Sequence, residues 1–207
     1  MLDLQEEIRE IDKESVIVLL SSLFLMCFFP YQGTPEYFLK NFYVLDEEFY
    51  YLGEVYRFFF TFLFFFIIPS FIVIIILKKS LKSYGLKIGD YRFGLKVFVL
   101  SIIILPIPIY LNSKNPDFLN EYPLWKNFGD SGINILKWSF LYLFYYIGWE
   151  FFFRGYLQFS LINKIPAFFI IMIQTIPSTI IHIGKPQGET ISAIFAGIIF
   201  WIFSIEN

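Results

Sequence analysis

Residues 58–77 form a run of twenty without one charged side chain, with Pro69 as its one helix-breaking residue. A helix of that length covers ~30 Å, the thickness of a bilayer's hydrocarbon core. Lipid offers no partner for a backbone N–H or C=O, so a run of this kind folds as a helix that pairs its own backbone groups. Pro69 is tolerated in such a helix and predicts a kink. The pattern recurs along the chain. Residues 15–31 are uncharged and read as a first span, and residues 97–113 as a third, bent by Pro106 and Pro108. Ser131 and Gly132 open a fourth helix that runs to Ile162. Asn163-Lys164-Ile165-Pro166 is a turn signal, followed by a fifth helix to about Ile183 with Pro177 inside it. The segment 184–188 holds two glycines and a proline and breaks the chain again, and residues 190–205 form a sixth span.

Composition agrees with this reading. Hydrophobic residues make up 57% of the 207-residue chain and charged residues 16%, against ~25% charged in an ordinary globular protein. The expected fold is an all-α integral membrane protein, a bundle of about six transmembrane helices. It divides into a polar N-terminal segment (1–14, a short interfacial helix or a disordered arm), helices one to three with their loops (15–130), and a core of helices four to six (131–207). The connection 32–54 is acidic, with Glu36, Asp46, Glu47, Glu48 and Glu54 against Lys40 alone. Lys78, Lys79, Lys82, Lys87 and Arg92 form the strongest positive cluster, which places their loop and the N-terminus on the cytoplasmic side. A net charge of −2 without a basic cluster of the nucleic-acid type leaves membrane lipid and a protein or peptide as the expected partners, and excludes nucleic acid. The single cysteine, Cys27, excludes an intrachain disulfide and a cysteine-based zinc site, and its apolar surroundings predict a packed core thiol. The first residues lack the basic region and cleavage pattern of a signal peptide.

One stretch departs from this apolar background. Gly148-Trp149-Glu150-Phe151-Phe152-Phe153-Arg154-Gly155-Tyr156 sets a carboxylate and a guanidinium four residues apart, on one face of a helix. Charges at membrane depth are costly, and a pair there marks a candidate site. The partner is His182, the only histidine. Measured from the turn at 163–166, Glu150 and His182 lie ~18 Å and ~23 Å along helices four and five, within about one turn of the same level. A carboxylate and an imidazole at one level can hold and deprotonate a water. The alternative is a structural ion pair between Glu150 and Arg154, with His182 capping a helix end. Glu189 is a secondary candidate as a substitute carboxylate, read chiefly as a solvated charge or the start of helix six. Lys185 is another, able to bind a substrate carboxylate or lipid phosphate, or else to snorkel to the interface.

Trp149-Glu150-Phe151-Phe152-Phe153-Arg154-Gly155 resembles the first motif of the CPBP family, the CAAX-type proteases and bacteriocin-processing intramembrane enzymes, in which a Glu-Glu pair is followed by three residues, Arg and Gly. Pro177 to His182 resembles the second motif, a Phe followed four residues later by His, and the tail from Ile183 to Pro186, with Glu189 beyond, is similar to one bacterial branch. The resemblance covers residues 131–207. It implies a helical bundle in a bacterial cell membrane with its site between helices four and five, hydrolysing a peptide bond in a prenylated or leader-peptide substrate by a water held between Glu150 and His182, with Arg154 as the ion-pair partner. A divalent metal such as zinc, if used, would sit on Glu150 and His182. Trp149 stands where the family has its first Glu and Ser178 where it has Phe. The third motif, His followed four residues later by Asn or Asp, is expected just past residue 207. A non-catalytic scaffold or self-immunity module that keeps the protease fold is the alternative.

Overall fold

The computed structural model describes residues 12–42 and 50–206, and among them there is no β-strand. The remainder of the N-terminal segment, and Asp46, Glu47 and Glu48 of the acidic connection, lie outside the described residues. Helix α1 spans Lys13–Gln32 and α2 spans Pro35–Phe42. Helix α3 begins as Tyr50–Phe62 and continues through a π segment, Leu63–Ile67, then Ile68–Phe71, then a second π segment, Ile72–Ile76. After a 3-10 turn at Leu81–Tyr84, α4 runs through Tyr91–Ile104 and, past Leu105, Pro106–Asn112. A short α5, Pro116–Glu121, precedes α6, which joins Gly132–Glu150 to a π segment, Phe151–Leu157, and a last turn, Gln158–Leu161. Helix α7 is Ala167–Ile180 and α8 is Gln187–Glu206.

Four of these helices, Lys13–Gln32, Tyr51–Ile76, Tyr91–Asn112 and Gln187–Ser204, are long and apolar enough to cross a membrane. Their starts are set by local chemistry. Asp12, Asp90, Asn115 and Ser131 each accept a bond from a first-turn N–H of α1, α4, α5 and α6, which satisfies donors that a helix end leaves open. Asn163, with a positive φ of 65°, turns the chain between α6 and α7, and Gly184, at φ 102°, turns it before α8. The proline at 69 sits just past a π segment whose wider turn closes Ile68 N–H onto the Leu63 carbonyl, the kind of local adjustment that accommodates proline in a long helix.

The core is aromatic and centred on α6. Phe65 of α3 stacks on Phe152 with ring centroids 4.4 Å apart, and Phe152, Phe153 and Tyr156 are fully buried. Polar side chains inside the bundle pair across helices: Ser21 with the Tyr156 hydroxyl at 2.7 Å, Gln158 with Ser204 at 2.6 Å, and Gln174 with the Gly197 carbonyl at 2.8 Å. In an apolar surrounding each bond adds attraction between helices where the hydrophobic effect adds none. Helix α4 is the exception to this packing, since none of its residues is buried.

Two expectations change. Cys27 is exposed on the outer face of α1, because it falls between the buried positions Leu25 and Phe29 on that helix. Glu54 belongs to α3 rather than to the connection before it, and is 4% exposed, where it forms an ion pair with Arg57. The i, i+3 spacing of Glu54 and Arg57 just before the uncharged run was the signal for that pair.

At the end opposite the acidic connection, Lys164 in the α6–α7 turn reaches Asp12 at 2.5 Å and Glu14 at 2.6 Å, and Lys79 reaches Glu14 at 2.7 Å. The hydrogen bond from Lys164 holds the Asp12 carboxyl well below the usual carboxylate range. Burial works against the Lys164 ammonium, but its bonds to Asp12 and Glu14 outweigh that and raise its pKa. A lowered Asp12 pKa contributes stability that is complete above the unfolded value of about 4 and is lost as pH falls through the folded one. Lys164→Met should therefore flatten the acid limb of a thermal-stability profile below pH about 4 and cost under about 1 kcal/mol at neutral pH, since the pair is partly exposed.

Candidate functional site

The sequence Phe151–Leu157 folds as a π segment, not as a continuation of the α-helix. Such segments inside α-helices recur at functional sites. All seven of its residues are buried, Arg154 included at 8% exposure. Gly155 permits the backbone to approach its neighbour: a Cβ there would lie 2.9 Å from the Tyr84 carbonyl oxygen. Across the wider turn, Glu150 and Arg154 remain on one side, with Arg154 Nε 3.5 Å from Glu150 Oε2. The Glu150 side chain is 43% exposed, open to the cavity beside it, while that of Arg154 is 9% exposed. The guanidinium lies between the rings of Phe153 and Phe200, 5.9 and 5.4 Å from their centroids. Its Nε and Nη1 are buried without a hydrogen-bond acceptor.

His182 lies two residues beyond the end of α7, which stops at Ile180. Its Nδ1 is 2.6 Å from the Ser178 carbonyl. A carbonyl only accepts, so Nδ1 carries the hydrogen and the neutral ring presents the Nε2 lone pair. That nitrogen faces Glu189 Oε1 at 3.9 Å. Trp149 packs edge-on against the imidazole, with centroids 5.7 Å apart, and stacks on Tyr145. Where the resemblance puts a second acid, this chain has an aromatic wall.

Glu150 and His182, expected to hold a water between them, both line one cavity. No hydrogen bond or ion pair joins them, and the carboxylate beside His182 is Glu189. The reason is local: the chain break at 181–186 carries His182 off the helix axis and toward the first turn of α8, where Glu189 sits. Glu189 lies in the first turn of α8, as the start-of-helix reading has it, and is not a solvated loop charge. Its side chain is 20% exposed, accepts from the Tyr122 hydroxyl at 2.7 Å, and pairs with Lys185 at 2.8 Å. Lys185 is thus engaged by Glu189 and by the Tyr122 ring and hydroxyl. Tyr122 was not anticipated, since nothing in a lone loop tyrosine announces a contact 67 residues away.

What unites these groups is a cavity of about 850 Å³, within the range of small-ligand pockets. Glu150, Arg154, His182, Lys185, Glu189 and Tyr122 all line it, in a wall otherwise aromatic and aliphatic. Burial, and then the bond to Glu189, raise the Tyr122 pKa, so its hydroxyl remains a donor over the physiological range. Tyr122→Phe should leave a partly buried carboxylate oxygen without its donor and lower stability by about 1.5–3 kcal/mol, read as a depressed thermal midpoint in detergent. A catalytic zinc takes three protein ligands. Among the described residues no group of three or more His, Cys, Asp or Glu gathers. The donors described fall short of a zinc site.

Comparison with protein-family models, with curated proteins and with solved structures finds no significant match.

Proposed function

We propose that this chain is an intramembrane endopeptidase of the CPBP type, acting on a prenylated or leader-peptide substrate in a bacterial cell membrane. In this reading α6 and α7 join the four apolar helices in a six-helix bundle, with the N-terminus cytoplasmic. The observation that carries it is the convergence of the Glu150–Arg154 pair with His182, which is distant from them in sequence, on one cavity large enough for a peptide segment. Glu150 takes a proton from a water as that oxygen bonds to the scissile carbonyl carbon. The C–N bond then breaks, and the proton passes to the departing amine. Arg154 holds the Glu150 carboxylate at the cavity wall. His182, its tautomer fixed through Nδ1, offers Nε2 as a second hydrogen-bond acceptor that orients the same water, with Glu189 beside that nitrogen.

The test is cleavage of prenylated and leader peptides by the reconstituted protein, with Glu150→Gln and His182→Ala. Unchanged cleavage in both variants sinks the reading. One observation favours a second reading, a non-catalytic scaffold or immunity module: Trp149 packs against His182, and no direct bond links His182 to Glu150. There Glu150→Gln preserves function, whereas Arg154→Ala unfolds the bundle.

A further inference from the structure

A second, smaller cavity of about 330 Å³ lies on the other side of the Glu150–Arg154 pair. It is lined by Tyr84, Lys87, Ile147, Phe151 and Ser204, and both Glu150 and Arg154 belong to its wall as well as to the wall of the large cavity. The two cavities point to opposite ends of the bundle. The large one takes Asn112 and Ser113 from the far end of α4, Tyr122 from the loop beyond it, and Glu189 from the start of α8. The small one takes the 84–89 segment that precedes α4 and Ser204 from the end of α8. Along α6, which runs between them, the large cavity begins at Tyr142 and the small one ends at Phe159, and they overlap only at the charged pair.

We infer that Glu150 is reached from both ends of the bundle, by substrate through the large cavity and by water through the small one, with the Glu150–Arg154 pair as the partition. The polar groups fit that division. Arg154 is nine-tenths buried, with its Nε and Nη1 sealed from both cavities, and so closes the gap between them. Glu150 is the half-open member of the pair. The small cavity ends at exposed Lys87, in the basic segment, and so reaches solvent at an interface. A separate route matters because hydrolysis consumes one water per bond: its oxygen and one hydrogen go to the acyl carbon and the other hydrogen to the amine. A peptide filling the large cavity would shut out the water it needs, and entry from behind the base avoids that conflict. The catalytic half of this inference rests on the endopeptidase reading, whereas the two-ended access does not.

Single cysteines test it in a Cys27→Ser background, which removes the only native thiol. In sealed proteoliposomes a charged, impermeant thiol reagent should modify Ile147→Cys only from the Lys87 end and Ala196→Cys only from the opposite end. Adding Arg154→Met, which keeps the packing volume and removes the charge, should make Ala196→Cys reactive from both ends. A bulky adduct on Ile147→Cys should lower kcat at unchanged KM, and one on Ala196→Cys should raise KM. Reactivity of both cysteines from the same end, or an Ile147→Cys that resists the reagent from the Lys87 end, overturns two-ended access. Sidedness retained after Arg154→Met overturns the partition, and an unchanged kcat on blocking Ile147→Cys overturns the water route. If sidedness holds and no peptide is cleaved, the endopeptidase reading fails and the access route stands.

Discussion

Glu150→Gln is expected to lower peptide cleavage by about 10²–10⁴, the usual contribution of a positioned general base. Glutamine keeps the shape of the side chain and an oxygen toward Arg154, but it cannot take the proton of the attacking water. Some stability is lost as well, because Arg154 is 8% exposed and Glu150 is the acid in contact with it. Removing one partner of a fully buried pair costs about 3–5 kcal/mol, and the half-open Glu150 side chain puts this case below that range. The two effects separate by measuring kcat on protein whose thermal midpoint has been recorded in the same detergent. Glu189→Gln is the decisive companion. Glu189 is the carboxylate nearest His182, so if it were the base the large loss would move to that variant and Glu150→Gln would fall by less than tenfold. If both variants cleave at the wild-type rate, the side-chain mechanism is excluded.

How much of this site the sequence disclosed depends on the range of the interaction. The Glu150–Arg154 pair was legible because helix periodicity puts i and i+4 together, and the π segment does not undo it. The long apolar runs were legible because lipid leaves a helix as their folded form, and α1, α3, α4 and α8 follow them closely. Levelling Glu150 with His182 along antiparallel helices brought both to one cavity. It could not foresee that α7 ends before His182 and that the imidazole turns toward α8, since the direction of a side chain in a chain break follows from φ and ψ at residues such as Gly184. The pairing of Glu189 with Tyr122 and Lys185 is likewise tertiary. Arg57 and Glu54 show the opposite error: a local i, i+3 pair stood in plain view, but a loop reading kept Glu54 from being counted among the buried acids.

Gly148→Ala is expected to destabilise the protein by about 3 kcal/mol, the upper end of the range for overpacking a tight core. A Cβ at this position would lie 2.8 Å from the Thr61 carbonyl oxygen and 3.1 Å from the Phe62 Cα. Both are backbone atoms of α3, so no rotamer change relieves the clash and the helices must separate. The strain falls on the best-packed part of the bundle, where Phe65 of α3 meets Trp149, Phe152 and Phe153 of α6. Gly94→Ala is the matched control: it too lies in a helix interior, yet nothing stands within 4 Å of its added methyl, and the gain in helix propensity should stabilise by about 0.5–1 kcal/mol. Thermal or denaturant unfolding in detergent reads both. Opposite signs at the two glycines would tie the α3–α6 contact to stability, and equal effects would mean that α6 does not rest on α3 at Gly148. Because Glu150 lies two residues beyond Gly148 on α6, the same separation should shift its carboxylate relative to His182, which follows α7. In the Gly148→Ala protein that survives purification, cleavage should then fall further than the loss of folded material accounts for.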